Sequence, residues 1–426
     1  MKVVELFSGI GSQVKALKKI GKVMNVDVEI LKTCEWDIHA MVAYNSINNE
    51  NNQTDKADRE EMLKFLSKYN LSYDGKKAMS PKQLEKLNLD TLSNVYDSII
   101  NNNNLVDIEQ VKGSDIPHET DLLTYSFPCQ DLSNVGSFHG YNKGIDRNKK
   151  TRSGLLWQIE RILDEKYLNN EKLPRYLLLE NVPSLLSKRH RSNFQEWISK
   201  LESIGYFNKI YILNALDFGI PQHRARVIMI SIQVNRNIQM KNALEDYFKK
   251  NDLSKQETIK SFSFLKKKTL INLLKLDYNN KTLFNEALSC QPNNTPSRVK
   301  IWEQNYKIID EKKKILDKVQ TITTKQDRHP NSGNIYFKYN IDKNKSMFRF
   351  LTPRECLLLM GFEDEDYEKL IKNNFKVNRR ADFFSRDVIF KLAGNSIVVN
   401  LLEAVFYQIF EIDKIFFKYN ALLERK

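Results

Sequence analysis

Short apolar runs alternate with amphipathic stretches through the first half of the chain. The apolar runs are rich in Val, Ile and Leu and predict buried strands at residues 3–7, 28–34, 121–127, 176–179, 208–213 and 227–232. Helical periodicity between them predicts helices at 13–20, 155–163 and 191–204. Strands that alternate with helices are typical of an α/β domain with a mostly parallel sheet.

Two blocks interrupt this alternation. Residues 48–104 are polar, with helical patches at 59–69 and 92–100, and we interpret them as an insertion on the domain surface. Residues 234–346 lack the strand–helix rhythm and contain two helical runs, 241–250 and 311–319. The pattern therefore predicts a main domain at 1–233 with an insertion at about 48–104, a smaller irregular domain at 234–346, and a return to the main domain at 347–426.

The final block opens and closes with predicted helices. Thr352 is a suitable N-cap, Pro353 suits the first helical position, and the helix is expected to run to residue 360. An amphipathic helix is predicted at 399–410, after the turn Gly394-Asn395-Ser396. Such a turn either presents amides and short polar groups to a ligand or simply caps a helix.

Charge and cysteine content narrow the possible functions. The 426-residue chain carries a formal net charge of +14, and residues 231–350 hold 24 Lys and Arg against 12 Asp and Glu, which favours a polyanionic partner. Cys34, Cys129, Cys290 and Cys356 are widely spaced with few histidines nearby, so we expect a reducing compartment and no metal site. No apolar run approaches 18 residues, and we expect neither secretion nor a membrane span.

The first two strands end in residues suited to a nucleotide. Phe7 is followed by the glycine turn Gly9-Ile10-Gly11, which lets the backbone approach a ligand closely before a helix begins. The second strand ends in Glu35 and Trp36, which could take both hydroxyls of a ribose and lie against a purine. The alternative is an ordinary turn followed by an exposed Glu and a packing Trp.

The next strands end in a thiol and a carboxyl group. Pro128 terminates the strand at 121–127, and Cys129 follows it; the thiol is either a small core residue or a nucleophile that needs a neighbouring group to favour ionisation. Glu180 follows the strand at 176–179, and it either caps a turn or faces the same sheet edge as Cys129. Arg224 and Arg226 alternate along the chain, so we expect both guanidinium groups to face one way.

Two polar loops are candidates for contact with a nucleic acid. Residues 134–152 are rich in Gly, Asn, Lys and Arg, and they form either a lid over a phosphate backbone or a solvated loop. Residues 321–333 are dense in side chains that hydrogen-bond base edges and phosphates, with a solvated loop again as the alternative.

Taken together and in order, these motifs resemble those of the DNA (cytosine-5)-methyltransferases. The motifs that carry the resemblance are Phe7-Ser-Gly-Ile-Gly, Glu35-Trp36, Pro128-Cys129-Gln130, Glu180-Asn181-Val182, Gln222-His-Arg224-Ala-Arg226 and Gly394-Asn395-Ser396. They span residues 3 to about 407. Residues 122–133 and 151–157 look especially close to the mollicute enzymes that methylate CpG, although the loop after Cys129 is longer than in compact members of the family.

The resemblance implies a Rossmann-like, S-adenosylmethionine-dependent methyltransferase sheet, with residues 234–346 as the target-recognition domain. Cys129 would add to carbon 6 of a cytosine flipped out of double-stranded DNA, and Glu180 would hold ring nitrogen 3 and the exocyclic amine. Arg226 would meet the ring carbonyl, and Arg224 would support Arg226 and the thiolate. Carbon 5 would take the methyl group, which leaves S-adenosylhomocysteine as product.

The resemblance also implies the binding residues. Phe7 would stack on adenine, Gly9, Ile10 and Gly11 would pass the methionine end, and Glu35 would hold the ribose. The pocket would be completed by Trp36, Asp107, Ile108, Pro128, Leu155, Asn395, Ser396 and Val398. The expected DNA contacts are Gln130, Ser133, Arg152, Lys325, Gln326, Arg328, Asn331 and Ser332.

We expect a monomer in the bacterial cytoplasm, associated with the nucleoid, that acts as a restriction-modification or orphan methylase. Three alternatives remain from the sequence. A tRNA cytosine-5 methyltransferase shares these motifs, although a long basic recognition block favours duplex DNA. A catalytically silent DNA-binding protein is opposed by the intact Cys, Glu and Arg set. A redox-active Cys enzyme lacks a resolving cysteine nearby in sequence.

Overall fold

The computed structural model describes residues 1–49, 57–129, 131–132, 144–147, 153–339 and 344–418. The chain divides into two compact units. The first unit comprises Met1–Leu213, Ala225–Ser263 and Leu402–Lys426, and the second comprises Asn214–Arg224 and Phe264–Leu401.

A six-stranded sheet forms the centre of the first unit. Its strands are β1 (Lys2–Leu6), β2 (Glu29–Cys34), β3 (Leu122–Tyr125), β4 (Tyr176–Asn181), β5 (Tyr206–Asn214) and β6 (Ala225–Gln233), in the order β2-β1-β3-β4-β6-β5. The pairs β1–β2, β1–β3 and β3–β4 are parallel, and β6 runs antiparallel to β4. All six strands predicted from the apolar runs are present. The order along the chain reverses between β1 and β3, and open α/β sheets bind their ligands outside the carboxyl ends of strands at such a point.

Helices occur in both units. In chain order they are α1 (Ser12–Met24), α2 (Ile38–Asn48), α3 (Arg59–Leu66), α4 (Pro81–Glu85), α5 (Leu89–Asn101), α6 (Leu156–Leu168), α7 (Arg191–Ser203), α8 (Ile238–Lys250), α9 (Gln256–Lys260), α10 (Leu270–Leu273), α11 (Lys281–Ser289), α12 (Pro296–Gln304), α13 (Pro353–Leu359), α14 (Asp364–Lys372), α15 (Arg386–Asn395) and α16 (Val399–Ile412). Short 3₁₀ turns occur at Gly113–Asp115, Ser153–Leu155, Pro183–Leu186 and Ala215–Phe218, and a π-helical turn occurs at Asp413–Lys418.

The strands β3 and β4 are buried along their whole length, as expected for parallel strands covered on both faces. Leu177 and Leu179 of β4 join a core that includes Ile159 from α6 and Trp197 from α7. The Trp197 indole N–H also donates to the Tyr125 hydroxyl of β3 at 3.2 Å. The same core includes Phe127 and Leu132, which follow β3, and Leu185, which follows β4, so it holds the segments after both strands in place.

The insertion packs into the first unit. Its helix α5 buries Leu92 and Val95 completely, and it contacts both α2 and α3. The helix α3 begins with a capping box in which Asp58 and Glu61 exchange hydrogen bonds with each other's backbone N–H groups. The predicted helical patches are therefore present, but the insertion contributes to the core rather than lying only on the surface.

The second unit contains two small sheets. Strands β7 (Lys307–Ile309), β8 (Asn334–Tyr336) and β9 (Phe348–Phe350) form one, and β10 (Lys376–Asn378) and β11 (Ala381–Asp382) form the other. The helix α13 begins as predicted, because Thr352 and Glu355 form a capping box and Pro353 is the first helical residue. The buried Glu355 carboxylate also takes a bidentate ion pair from Arg349, with both N–O distances 2.8 Å.

The predicted helix at 311–319 is wrong. Residues 310–319 form turns and isolated bridges instead, because their backbone groups pair with other segments of the second unit. The Leu316 N–H donates to Ile308 O, and the Val319 N–H donates to Pro221 O, each at 2.9 Å. These non-helical bonds, the second of which spans almost 100 residues, override the helical propensity of a Lys-rich run.

The compact units divide the chain at positions other than those of the predicted domains. The helix α8, which follows residue 234, belongs to the first unit, and the helices from α13 to α15 belong to the second. The role of residues 234–346 in target recognition stays a prediction. The apolar helical run Arg386–Phe417 is long enough to cross a membrane, but 78% of its most apolar window is buried within the protein, as in a core helix.

Candidate active site

The ends of β3 and β4 are tied together by Asn181. The Asn181 side-chain nitrogen donates to Phe127 O at 3.0 Å. The side-chain oxygen, Oδ1, accepts from the Val182 N–H at 2.9 Å. Asn181 is buried, so water does not compete for these hydrogen bonds. The parallel pairing of the two strands and the Asn181 bridge bring the segments that carry Cys129 and Glu180 to the same sheet edge.

The turn that carries Cys129 is braced by serines. The Leu132 N–H donates to Cys129 O at 3.0 Å, which closes the turn. The Ser153 hydroxyl donates to Pro128 O at 2.7 Å, and the Ser184 hydroxyl donates to Leu132 O at 2.6 Å. The Cys129 thiol itself is half-buried. Sequence reasoning missed these supporting hydroxyls, because a Ser that braces a distant turn carries no local pattern.

Glu180 forms an ion pair with Arg226 at the same edge. The Arg226 Nε lies 3.0 Å from Glu180 Oε1, and the two side chains are 12% and 11% exposed. The strand β6 supplies Arg226 because it runs antiparallel to β4, with Ile228 opposite Glu180. A guanidinium paired with a carboxylate reduces the free-energy cost of burying either charge. The pair can present an acceptor and a donor together to a flat polar ring.

Arg224 has a different environment from Arg226. It is buried in the second unit, where its guanidinium donates to Ile322 O at 2.8 Å, Gly394 O at 2.9 Å and Ser396 O at 2.7 Å. These bonds connect the segment at 321–324 to the end of α15. The proposed support of the Cys129 thiolate by Arg224 stays a prediction.

The turn after β1 contains Gly9 and Gly11, and the two glycines have different surroundings. Both have left-handed backbone angles, with φ of +56° at Gly9 and +87° at Gly11. A Cβ at Gly11 would lie 2.2 Å from the Asn48 side chain, whereas a Cβ at Gly9 would meet no atom of the described residues within 4 Å. Gly11 therefore permits close packing, and Gly9 borders open space in which a ligand could approach the backbone.

Glu35 lies beside this glycine turn. Its Oε1 accepts from the N–H groups of Trp36 and Asp37 at 3.0 and 2.9 Å, and its Oε2 accepts from the Gly9 N–H at 3.1 Å. Burial, with a smaller contribution from the Asp37 carboxylate, raises the pKa of Glu35 to about 7. The carboxyl group is thus held rigidly next to the open space at Gly9, as a ribose-binding residue requires.

Asn104 fixes the tip of β2. Its side-chain carbonyl accepts from the N–H groups of Glu35 and Val106 at 3.0 and 2.9 Å, and its amide donates to Glu35 O at 3.0 Å. The chain then continues to Asp107 and Ile108, which are both buried. Asn104 was not predicted, since one residue in an Asn-rich run has no distinguishing sequence signal.

The remaining predicted cofactor residues are distributed over both units. In the first unit, Trp36, Pro128 and Leu155 are half-buried. In the second, Asn395 is exposed and is the last residue of α15, while Ser396 and Val398 are buried. The Ser396 hydroxyl donates to Leu392 O at 3.1 Å, and Ser396 is the C-cap of α15. Gly394 and Asn395 are thus the last residues of α15, and the turn predicted at these two positions is wrong.

The predicted DNA contacts differ in exposure. Gln130, Ser133 and Arg152 lie outside the described residues. Gln326, Asn331 and Ser332 are buried and bonded to one another: Asn331 donates to Gln326 O at 2.8 Å, and the Ser332 N–H donates to the Gln326 side chain at 3.4 Å. Lys325 and Arg328 are exposed. Of the five members that the structure describes, Lys325 and Arg328 are therefore the two that are accessible to a partner, and the other three hold the loop together.

Within the described parts of the chain, no group of three or more His, Cys, Asp or Glu side chains could hold a metal ion. The open space at Gly9, the rigid Glu35 carboxyl group and the buried Asp107 fit an adenosine-containing cofactor, because they combine close backbone approach with fixed acceptors for hydroxyl and amino groups. The fold and these residues define the class of Rossmann-like domains that bind an adenosine-containing cofactor.

Comparison with known proteins identifies the family. Residues 84–411 match the model of the C-5 cytosine-specific DNA methylases. The orphan methyltransferase M.SssI of Spiroplasma monobiae is 35% identical over 95% of this chain and 96% of its own length. The type II methyltransferase M2.ScrFI of Lactococcus lactis subsp. cremoris is 30% identical over 96% of this chain and 99% of its own. The chain belongs to the C-5 cytosine-specific DNA methylase family.

Solved structures agree on the fold. The Dnmt2 methyltransferase of S. pombe superposes with a TM-score of 0.57 at 17% identity and covers 96% of this chain and 98% of that one. The Entamoeba histolytica methyltransferase EhMeth gives a TM-score of 0.55 at 16% identity, with the same coverage of both chains.

Family membership confirms several predictions. The protein is a DNA (cytosine-5-)-methyltransferase that uses S-adenosylmethionine, its substrate is double-stranded DNA, and the expected likeness to a mollicute enzyme is confirmed by the Spiroplasma relative. The alternatives of a silent DNA-binding protein and a redox enzyme are thereby set aside. The tRNA alternative is not favoured.

Proposed function

We propose that the enzyme methylates carbon 5 of a flipped cytosine through a covalent adduct with Cys129. Carbon 5 of cytosine is a poor nucleophile, and addition of the Cys129 thiolate at carbon 6 makes it electron-rich. The observation that carries this proposal is the position of the Cys129 turn next to the Glu180–Arg226 pair, on the tips of neighbouring strands.

Glu180 and Arg226 hold the ring during this addition. The Glu180 carboxyl group binds ring nitrogen 3 and the exocyclic amine, and the Arg226 guanidinium binds the ring carbonyl oxygen, where negative charge develops. After methyl transfer, solvent water takes the proton from carbon 5. The electron pair of that C–H bond forms the carbon 5–carbon 6 double bond, and the carbon 6–sulfur bond breaks to release the Cys129 thiolate. The catalytic role of Arg224 stays a prediction.

Residues of the first unit hold the cofactor. Phe7 stacks on the adenine, the turn of Gly9, Ile10 and Gly11 lets the methionine end pass on the open side at Gly9, and Glu35 accepts from the ribose hydroxyls. When bound, S-adenosylmethionine supplies an electrophilic methyl group. The open space at Gly9 and the three amide bonds to Glu35 support this arrangement.

The target base has to leave the double helix, because carbons 5 and 6 are inaccessible in stacked DNA; extrusion costs a few kcal/mol. We assign Lys325 and Arg328, which are exposed in the second unit, to contact with DNA. Gln130, Ser133 and Arg152 keep their proposed DNA roles from the sequence. The motif likeness favours CpG as the target.

We also propose that the protein acts as a monomer in the bacterial cytoplasm, at the nucleoid. The relatives include both an orphan methyltransferase and a type II methyltransferase, so either an orphan role or a restriction-modification role is consistent with the family.

The covalent step can be tested with DNA that contains 5-fluorocytosine, which traps the adduct because fluorine cannot leave as the proton does. Wild-type enzyme with S-adenosylmethionine should form a band stable in denaturing gels, and Cys129→Ala should form none and transfer no methyl group. Cys290→Ala is the matched control, because Cys290 is fully buried in the second unit and burial raises its pKa to about 12.

This control should form the adduct at the wild-type level. If the adduct still forms in Cys129→Ala, a residue other than Cys129 is the nucleophile. Transfer of labelled methyl groups to tRNA in preference to DNA would instead revive the tRNA alternative.

A further inference from the structure

The insertion reaches the end of β2 through residues 70–79. The Ser72 N–H donates to Trp36 O at 2.8 Å, and the Ile38 N–H donates to Ser72 O at 3.0 Å. Ser72 is fully buried. Because Trp36 directly follows Glu35, the insertion runs beside the residues proposed to hold adenosine.

Bonds within residues 70–79 keep this segment in one conformation. The Met79 N–H donates to Leu71 O at 2.7 Å, the Ser72 hydroxyl donates to Lys77 O at 2.6 Å, and the Gly75 N–H donates to the Ser72 hydroxyl at 3.0 Å. Leu71 is buried as well. Asn70, the first residue of the segment, is therefore held in place by the two residues that follow it.

The Asn70 side chain donates to Asp107 Oδ2 at 2.7 Å. The other oxygen, Oδ1, accepts from the Glu109 N–H at 3.0 Å. Two fixed donors set the rotation of the carboxylate, and each of its oxygens can accept a second bond. Asn70 is exposed whereas Asp107 is 7% exposed, so this hydrogen bond joins a surface residue to a buried carboxylate.

We propose that Asn70 is a positioning residue for recognition of the purine of S-adenosylmethionine. This inference rests on the proposed role of Asp107 in the cofactor site. With the ribose hydroxyls taken by Glu35, the exocyclic 6-amino group is the donor that adenine offers to a second carboxylate. Asn70 orients Asp107 to accept from that group. Hypoxanthine carries a carbonyl oxygen at the same position, which a carboxylate repels, so a well-oriented Asp107 selects adenine.

The test measures binding rather than turnover. Dissociation constants for S-adenosylhomocysteine and S-inosylhomocysteine are determined by titration calorimetry with wild-type protein, Asn70→Ala, Asp107→Ala and Asn94→Ala. Asn94 is the matched control, a partly exposed asparagine on α5 whose amide donates to Asp90 O at 2.8 Å. Circular dichroism checks that each variant is folded. Because Asn70 is exposed, we expect Asn70→Ala to fold normally.

Wild-type protein should prefer the adenosine compound by at least about tenfold, the value of one charge-assisted hydrogen bond. Asn70→Ala should reduce this preference several-fold, mainly by weakening the binding of S-adenosylhomocysteine. Asn94→Ala should retain the wild-type preference. A double variant that combines Asn70→Ala with Asp107→Ala is measured as well. Its preference should equal that of Asp107→Ala alone, because Asn70 acts through Asp107.

Two negative outcomes are distinguishable. If wild-type protein has no preference, or Asp107→Ala keeps it, the proposed cofactor role of Asp107 is wrong. If Asp107→Ala abolishes the preference while Asn70→Ala leaves the ratio unchanged, the cofactor site stands and the role of Asn70 is overturned. Equal weakening of both ligands by Asn70→Ala overturns that role as well, since it shows a structural effect alone.

Discussion

Two buried glutamates of the first unit have raised pKa values. Burial raises the pKa of both Glu5 and Glu35 to about 7, although the Tyr44 hydroxyl donates to Glu5 at 2.5 Å and three amides donate to Glu35. The folded state thus binds more protons than the unfolded chain between the ordinary glutamate pKa and 7. Through that window these two groups make folding less favourable as pH rises.

The same equilibrium should control cofactor affinity. If Glu35 accepts bonds from the ribose as a carboxylate, binding competes with its protonation. Affinity for S-adenosylhomocysteine should then rise by up to about tenfold per pH unit below 7 and level off above it. Glu35→Gln should bind more weakly and lose this dependence, which calorimetry between pH 5.5 and 8.5 would measure.

Glu5→Gln is the control for that experiment, because Glu5 titrates in the same range but is bonded to Tyr44. It should keep the pH dependence of binding. An affinity independent of pH in the wild-type protein would remove Glu35 from the ribose site.

At the scale of elements, the end of α15 approaches the segment at 321–324 closely. A Cβ at Gly394 would lie 2.5 Å from Thr324 N and 2.6 Å from the Thr323 carbonyl carbon. Arg224 donates to carbonyl groups on both sides of this contact. The contact therefore sets the path by which the chain enters the loop that carries Lys325 and Arg328.

Replacement of Gly394 by Ala should destabilise the protein. Helix propensity alone would favour Ala by about 0.5–1 kcal/mol, but the backbone atoms it meets cannot rotate away, and overpacking typically costs about 1–3 kcal/mol. We expect a net loss in the free energy of unfolding, measured by urea denaturation. Lys391→Ala, one turn earlier in α15, should stay within about 0.5 kcal/mol of wild type. An equally stable Gly394→Ala would show that the segment at 321–324 can move aside.

At the scale of the whole molecule, charge is distributed unevenly along the sequence. Residues 231–350 carry nearly all of the +14 net charge, with 24 Lys and Arg against 12 Asp and Glu. Many of these cations are exposed, among them Lys312, Lys313 and Lys314. A basic surface of this kind attracts the phosphate backbone without regard to sequence.

Replacing Lys312, Lys313 and Lys314 together by Gln should weaken binding to all DNA sequences alike and reduce the dependence of the binding constant on salt, by about 0.9 in log–log slope for each phosphate that is no longer neutralised. Fluorescence anisotropy at several salt concentrations measures both effects. Lys82→Gln with Lys86→Gln, two exposed lysines of the insertion, is the control and should change the slope less. An unchanged slope in the triple variant would place the DNA away from this part of the second unit.

Local sequence was sufficient for the sheet strands, for most helices and for the family. Each strand is a short apolar run, and the residues after it are determined by turn chemistry, so Cys129, Glu180 and Glu35 could be placed at strand ends without coordinates. The ordered motifs then identified the methyltransferase family, because catalysis restricts those residues wherever the fold places them.

Tertiary structure decided the supporting contacts. Asn70, Asn104 and Asn181 each bond to a residue that is distant in the sequence, namely Asp107, Glu35 and Phe127, and such pairings leave no periodic signal in the chain. Backbone bonds to other segments also replaced the helix expected at 311–319. Gln326 is buried although its neighbour Lys325 is exposed, and the local sequence does not distinguish the two. Periodicity and turn chemistry act over a few residues, whereas the choice of a hydrogen-bond partner across the fold depends on which segments meet, and only the folded chain determines that.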